Sequence, residues 1–281
     1  VDRQRPLLTT SPIALLTDFG TTDIYVGVMK GVIFGIAPQA AVIDLGHHLA
    51  PQNLVQASFT LKTAYRYFPG GTVFCCVVDP GVGTSRQAVA VEIQDAAGIG
   101  RLIVCPDNGI LTPFLDEEQV RRAVELDRPH YHLTPVSATF HGRDIFAPVA
   151  AHLARGATLE QVGSDLAPNS LLRLEMPKPR QRGHRWQATI IHTDHFGNLI
   201  TNLPGKLLTP PLRQWQVLVG GQRLQGIERT FAVVADGQGI AYLGSSGHLE
   251  IAIRGGNAQR TWGLEIGATI WLEPISGDGN S

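Results

Sequence analysis

Short runs of almost unbroken apolar residues dominate the first half of the chain: IALLT (13–17), AVIDL (41–45), TVFCCVV (72–78), AVAVEI (88–93), RLIVC (101–105) and AVEL (123–126). A strand with one wet face alternates polar and apolar residues, whereas a strand covered on both faces can be apolar throughout. The runs therefore predict an α/β domain with a largely parallel central sheet, which needs helices on both faces. Helical patterns fill the gaps. From Ile24 onward, Ile24, Val28, Gly31, Val32 and Gly35 fall on one helical face, with Asp23 as N-cap and Pro38 as the stop. Leu54, Ser58, Leu61 and Tyr65 mark a second helix, and a third runs from Asp144 to Arg155 and ends at Gly156.

The texture changes at APNSLLRLEMPKPRQRGHR (167–185), with its three prolines and basic run. Beyond it, ATIIHT (188–193), WQVLV (215–219), TFAVVA (230–235), IAYL (240–243), LEIAI (249–253) and TIWLE (269–273) are separated by glycine turns, with no helical pattern between them. That predicts a small antiparallel barrel or sandwich. The expected organisation is an α/β domain over residues 1–168, a linker over 169–185 and a barrel-like all-β domain over 186–281.

Lys plus Arg total 23 against 24 for Asp plus Glu, a net charge of −1. No general attraction to nucleic acid or to an anionic membrane is expected, and the partner is a small molecule. Cys75, Cys76 and Cys105 lie in strand-like runs without disulfide or metal spacing, so they read as reduced core residues and point to the cytoplasm. No apolar run reaches the ~18 residues of a membrane span. The opening VDRQRPLLTTSP lacks the order of a signal peptide.

In open α/β sheets ligands gather beyond the carboxyl ends of the strands. In LLTDFG, Asp18 ends the first run, where a carboxylate can accept both hydroxyls of a ribose or serve only the turn. In VVDPGVGTSRQ (77–87), Asp79 and Arg86 flank a glycine turn. It is not a phosphate-binding loop, because Gly83 is followed by Thr84 and Ser85 where that loop needs Lys and then Ser or Thr. A surface ion pair would contribute only about 0–1 kcal/mol and needs no glycines. A strand-end Asp with an Arg folded over the turn is better suited to holding a polar ligand or a water.

In TFHGRDIFAP, His141 stands just ahead of a helix start, where it can exchange a proton near neutral pH or merely cap the helix. In HTDHFGNLITN, Asp194, Phe196 and Asn198 group a carboxylate, an aromatic face and an amide around a glycine. That set suits an amine and a flat base, or simply a Gly-Asn turn. Neither His47 with His48 nor His192 with His195 forms a known ligand pattern, and no metal is expected. A G-x-S-x-G nucleophile elbow is absent as well.

Taken together, LLTDFGTTDIYVGVMKGVI, VVDPGVGTSRQ, CPDNGILTPF, TFHGRDIFAPVAAHLARG, HFGNLITN and GSSGHLEIAI resemble the S-adenosylmethionine hydroxide adenosyltransferase family, hydrolytic relatives of the S-adenosylmethionine-dependent fluorinases and chlorinases. The motifs cover almost the whole chain in order. The resemblance implies an N-terminal α/β domain, a C-terminal β-barrel, and a homotrimer with active sites between one subunit's N-terminal domain and its neighbour's C-terminal domain. It implies S-adenosylmethionine as substrate, hydrolysed to adenosine and L-methionine without a cofactor. By motif, Asp79, Arg86 and His141 are the catalytic set and Asp18 binds the ribose. Phe196 and Asn198 face the adenine, while Asp194, Ser245 and Ser246 hold the methionine amine and carboxylate. LGHHLAPQN lacks the aromatic that the halogenases place over the sugar.

The halogenases carry an aromatic at the position of Asp79, Tyr-Ser in place of His141-Gly142, and a long insertion between the early strands. Here Asp, His and Gly are present and the stretch from Leu45 to Thr72 is short. Hydrolysis is therefore expected over halogenation, and over a nucleoside or S-adenosylmethionine sensor, which has no need of an attacking water. The expected mechanism has Asp79 and His141 both accepting hydrogen bonds from a water in line with the C5′–S bond, one of them taking its proton. Arg86 stabilises the developing hydroxide and orients Asp79.

Overall fold

A computed structural model describes residues 10–275. They form two compact units, divided in sequence between Glu175 and Met176. The first is built on seven strands: β1 (Ile13–Thr17), β2 (Val42–Gly46), β3 (Val73–Val77), β4 (Ala88–Gln94), β5 (Gly100–Pro106), β6 (Val120–Glu125) and β7 (Ser164–Leu166). Their order is β2-β1-β3-β5-β4-β6-β7. The four strands from β2 to β5 are parallel, while β4, β6 and β7 join antiparallel. Connection length explains the reversal at β4. A parallel crossover needs a dozen or more residues, whereas β4 and β5 are joined by a tight turn in which Asp95 accepts from the N–H groups of Ala97 and Ile99.

All five residues of β1 and of β3 are buried, because both faces of the sheet are covered. Alternate residues feed opposite cores, as the two-residue period of a strand requires. Ile13, Leu15, Cys75 and Val77 pack with α1 (Tyr25–Ile36) and a later helix on one side. Ala14, Leu16, Phe74 and Cys76 pack with α2 (Leu54–Ala64) and α3 (Thr112–Asp116) on the other. The later helix is α4 (Ala147–Ala154), and a short α5 (Leu159–Val162) follows it. The three cysteines are free and buried, and burial pushes the Cys75 thiol up to about 12.

Helix α1 corrects the sequence reading in two respects. Its N-cap is Ile24, with no side-chain cap, so Asp23 does not cap it. Its buried residues are Val26, Met29 and Ile33, whereas Ile24 is 75% exposed and Gly31 and Gly35 are exposed as well. The helix is apolar or glycine on nearly every side, so spacing alone could not choose its inner face. The third helix begins earlier than expected, as a π-helical turn over Gly142–Phe146 that runs into α4.

The second unit is all antiparallel apart from one isolated bridge. It comprises β8 (Arg180–Arg182), β9 (Arg185–Thr193), β10 (Leu199–Pro204), β11 (Trp215–Val219), β12 (Gln222–Gln225), β13 (Gly239–Leu243), β14 (His248–Ile253) and β15 (Thr269–Pro274). The order is β12-β11-β15-β9-β10-β14-β13, with β8 paired to β9. Leu224 of β12 and Trp262 crowd Gly239 at the start of β13, so the two edges of the sheet approach and the barrel nearly closes. Ile190, Leu199, Val217, Leu249, Ile251 and Ile270 fill its core.

Two expectations fail in this unit. TFAVVA (230–235) is not a strand: Phe231–Val233 is a 3-10 turn, with the Thr230 hydroxyl accepting from the Ala232 N–H. A short helix, α6 (Ala258–Trp262), is present where none was expected, capped by the Asn257 side chain. Within 169–185, the stretch read as a linker, β8 forms a hairpin with β9. Among the described residues no helix is long and apolar enough to cross a membrane.

Candidate active site

Strands β1 and β3 lie side by side in parallel, with Thr17 opposite Val77. The residues that follow them, Asp18 and Val78-Asp79, therefore leave the sheet together at its carboxyl edge, where such sheets bind ligands. The turn after Asp79 folds Arg86 back over it. Arg86 Nε donates to Asp79 Oδ1 at 2.9 Å and to Oδ2 at 3.1 Å, and one terminal nitrogen donates to Oδ2. The pair is largely buried, with side chains only 9% and 5% exposed, and the guanidinium lies over the Phe146 ring at 5.2 Å. A forked pair in such a setting is a fixed element of a site, unlike a mobile surface contact.

One glycine of VVDPGVGTSRQ is required by packing within the unit. Gly83 has φ +76, and a Cβ there would stand 2.4 Å from the carbonyl oxygen of Ala138. Only glycine combines that conformation with that approach. The contact presses the Asp79–Arg86 turn against the loop that leads into His141.

His141 stands at the N-cap of the π-helical turn, a distortion often found at functional sites. Its Nδ1 lies 2.7 Å from the terminal nitrogen of Arg86 that also donates to Asp79. A guanidinium only donates, so Nδ1 accepts and the neutral ring carries its proton on Nε2. Burial and then the positive charge of Arg86 hold the imidazole below its usual range, which favours that neutral form. Asp144, 1% exposed, anchors the turn. It accepts from Arg143 and, at 2.8 Å, from the Ser137 N–H. Burial pushes this carboxyl up, but the bonds from Arg143 and Ser137 win and its pKa is lowered.

Asp18 accepts the Gln52 N–H at 2.7 Å through Oδ2. Gln52 is itself in the left-handed region, φ 62. Beside it Phe19, Tyr25 and Phe140 form a cluster of tilted and edge-on rings with centroids 5.2–6.0 Å apart. Gly142 is buried beneath them, against Phe140, Met29 and Phe19. Asp18, Asp79, Arg86 and His141 thus share one end of the first unit.

In the second unit Asp194, Phe196 and Asn198 line a cavity of about 560 Å³ together with Phe231, Tyr242, Ile253 and Arg254. The Asp194 carboxylate accepts from the backbone N–H groups of Phe196 and Asn198 at 3.0 and 2.8 Å, and from the Asn198 amide at 2.7 Å. This holds the turn and leaves the Phe196 ring 70% exposed. Ser245 and Ser246 lie in the turn between β13 and β14 rather than on the cavity wall. Ser246 is linked to the cavity through Glu250, which accepts from the Ser246 hydroxyl at 3.5 Å and from the Tyr242 hydroxyl at 2.7 Å. Burial raises the pKa of both Glu250 and Tyr242.

The sequence profile of the SAM hydroxide adenosyltransferase N-terminal domain matches residues 13–163, and that of the C-terminal domain matches residues 188–271. The chain belongs to this family. A protein named (R)-S-adenosyl-L-methionine hydrolase from Thermus thermophilus is 42% identical over 269 residues, 93% of this chain and 99% of the relative. One of the same name from Salinispora tropica is 40% identical, over 91% and 95%. A fluorinase from Actinoplanes sp. is 29% identical, over 92% and 96%. A solved structure of a conserved protein from Thermotoga maritima superposes with a TM-score of 0.85 at 38% identity, covering 92% of this chain and 99% of that one.

For this member of the SAM hydroxide adenosyltransferase family, motif reading missed Asp144, Gln52, Glu250 and the Phe19–Tyr25–Phe140 cluster. Asp144 had a signal, since it lies in the quoted HGRD run. Gln52 gave none, because it acts through its backbone. Chemically, the first unit offers a carboxylate, a guanidinium and a neutral imidazole locked together, and the second offers an exposed ring beside a carboxylate and an amide.

Proposed function

We propose that this chain hydrolyses S-adenosyl-L-methionine to adenosine and L-methionine. The chain's 42% identity to a protein named as such a hydrolase supports the reaction, and the Arg86 fork joining Asp79 to His141 is the observation that carries the chemistry. Water attacks the ribose C5′ carbon, the C5′–S bond breaks, and the sulfonium leaves as neutral methionine with one proton released. The leaving group needs no acid, so the protein has only to strengthen and aim the water.

The expectation that Asp79 and His141 both accept from that water changes in one respect. With Nδ1 of His141 taken by Arg86, the ring offers the water an Nε2–H donor, while the Asp79 carboxylate keeps spare lone pairs. Asp79 is therefore assigned as the acceptor that draws the proton, His141 as the donor that fixes the oxygen, and Arg86 as the charge that stabilises the hydroxide-like state. Asp18 holds the ribose hydroxyls, Phe196 and Asn198 the adenine, and Asp194 with Ser245 and Ser246 the amino-acid end.

The enzyme is assigned as a cytoplasmic homotrimer in which one subunit's N-terminal domain faces its neighbour's C-terminal domain, an arrangement that would bring the two residue sets onto one substrate. Halogenation is the competing reading. The buried carboxylate of Asp79 opposes it, since an anion beside that charge is repelled. Incubation with S-adenosylmethionine and chloride in ¹⁸O-water, followed by mass spectrometry, decides the matter. Adenosine carrying ¹⁸O at the 5′ position is expected; a 5′-halo-adenosine, or bound substrate without product, would overturn it.

A further inference from the structure

We propose that the chain of hydrogen bonds Lys30–Asp44–His47–Thr17 positions Asp18 for the ribose, and so sets how strongly the site distinguishes nucleosides with sugar hydroxyls from those without. The proposal rests on Asp18 being the ribose ligand.

Lys30 of α1 donates to Asp44 Oδ2 at 2.7 Å. Asp44 Oδ1 meets Nε2 of His47 at 2.9 Å, and Nδ1 of His47 meets the Thr17 hydroxyl at 2.9 Å. The Phe19 N–H donates to the same hydroxyl oxygen at 3.3 Å. One assignment satisfies every partner: Nε2–H to the Asp44 carboxylate, and the Thr17 hydroxyl to Nδ1. His47 is 4% exposed and Thr17 fully buried, so neither serves as a nucleophile or a metal ligand at the surface. Thr17 and Phe19 bracket Asp18. The segment that follows β2 also grips the turn at other points: the His47 carbonyl accepts from the Gly20 N–H at 2.7 Å, His48 meets the Thr21 hydroxyl at 3.0 Å, and the Gln52 N–H takes one Asp18 oxygen. The adjacent histidines, unexplained as metal ligands, thus clamp the turn from both sides of Asp18.

Calorimetry on the full chain with adenosine and 2′,3′-dideoxyadenosine tests this. Thr17→Val, close in size but without the hydroxyl, should weaken adenosine by about tenfold or more while leaving the dideoxy compound within about twofold, because the loss arises at a site built for hydroxyls. In an Asp18→Ala background the same change should cause no further loss. Asp44→Asn, at the exposed end of the chain, covers the case of a Thr17 variant that does not fold; it should show the same selective loss, about threefold or more. Equal losses for both nucleosides, or losses additive with Asp18→Ala, would make the chain merely structural and overturn the proposal. Asp18→Ala separates the two readings. If it spares adenosine affinity, the ribose role of Asp18 fails and takes the proposal with it; if it removes the discrimination while the other variants keep it, the positioning role alone fails.

Discussion

A single terminal nitrogen of Arg86 donates to Oδ2 of Asp79 and stands 2.7 Å from Nδ1 of His141. In the proposed mechanism, two groups that could each compete for a proton take different tasks: the imidazole accepts from the guanidinium and keeps its proton on Nε2, and the carboxylate is the acceptor for the water. Lysine keeps the charge of Arg86 but lacks the fork. Arg86→Lys should lower kcat by about 10²–10³, as for loss of an oriented charge-stabilising donor. Calorimetry should find its adenosine affinity within about threefold of wild type, because Arg86 is assigned to the water and not to the sugar.

The pH dependence follows from the buried imidazoles. His132, His141, His152, His192 and His248 all have lowered pKa values, with burial as the first cause in each. A histidine whose folded pKa lies below its unfolded value binds more protons when unfolded, so its contribution is full above the unfolded value, near 6.5, and is lost as pH falls through the folded one. Asp44, Asp144 and Glu160 are lowered below the ordinary carboxylate range, Glu160 to about 2, and titrate in more acid solution. Asp107 and Glu250, raised by burial, act in the opposite sense, but the five histidines outnumber them; the melting temperature should therefore fall as pH drops below about 6.5, ahead of the titration of the lowered carboxylates. A flat profile between neutrality and the carboxylate range would contradict this.

Gly83→Ala tests the contact that joins the Asp79 turn to the His141 loop. A left-handed alanine alone costs of order 1–3 kcal/mol, and its Cβ must also displace the Ala138 carbonyl. Urea denaturation should show at least that loss. Activity should fall further than folding requires, because the displaced loop carries His141 away from Arg86.

How far these features were legible depends on what kind of signal each left. Strands β1, β3 and β5 were readable as nearly continuous apolar runs because burial on both faces removes the need for polar residues. The inner face of α1 was not, since Val26, Met29 and Ile33 compete with an equally apolar or glycine-bearing opposite side. Phe231–Val233 had strand composition but is a turn, with Phe231 lining the cavity beside the Tyr242 ring at 4.8 Å. Among site residues, Asp79, Arg86 and His141 were named from motifs, and the structure joins all three. The division of labour proposed for them was hidden, because it depends on which nitrogen faces which oxygen. Asp194 illustrates the limit from the other side: a turn was one of two readings of HTDHFGNLITN, and only the structure shows the Asp194 carboxylate accepting from the Phe196 and Asn198 N–H groups that hold it.

Phe196 is the cleaner probe of the second unit. Its ring is exposed in the isolated chain, so truncation disturbs no core, whereas removing Asp194 would also release the turn. Phe196→Ala should weaken adenosine by about 1–3 kcal/mol, the range for loss of an aromatic platform under a base, with the melting temperature unchanged. Wild-type affinity in this variant would remove Phe196 from the adenine site.

The central claim is that the Asp79 carboxylate, held by Arg86, draws the proton from the attacking water. Asp79→Asn preserves shape and removes the charge, so the kcat of this variant for adenosine formation tests the claim most directly. In protein shown by circular dichroism to be folded and by calorimetry to bind adenosine, the account predicts a fall in kcat of at least about 10². A folded Asp79→Asn enzyme that turns S-adenosylmethionine into adenosine at the wild-type rate would contradict it.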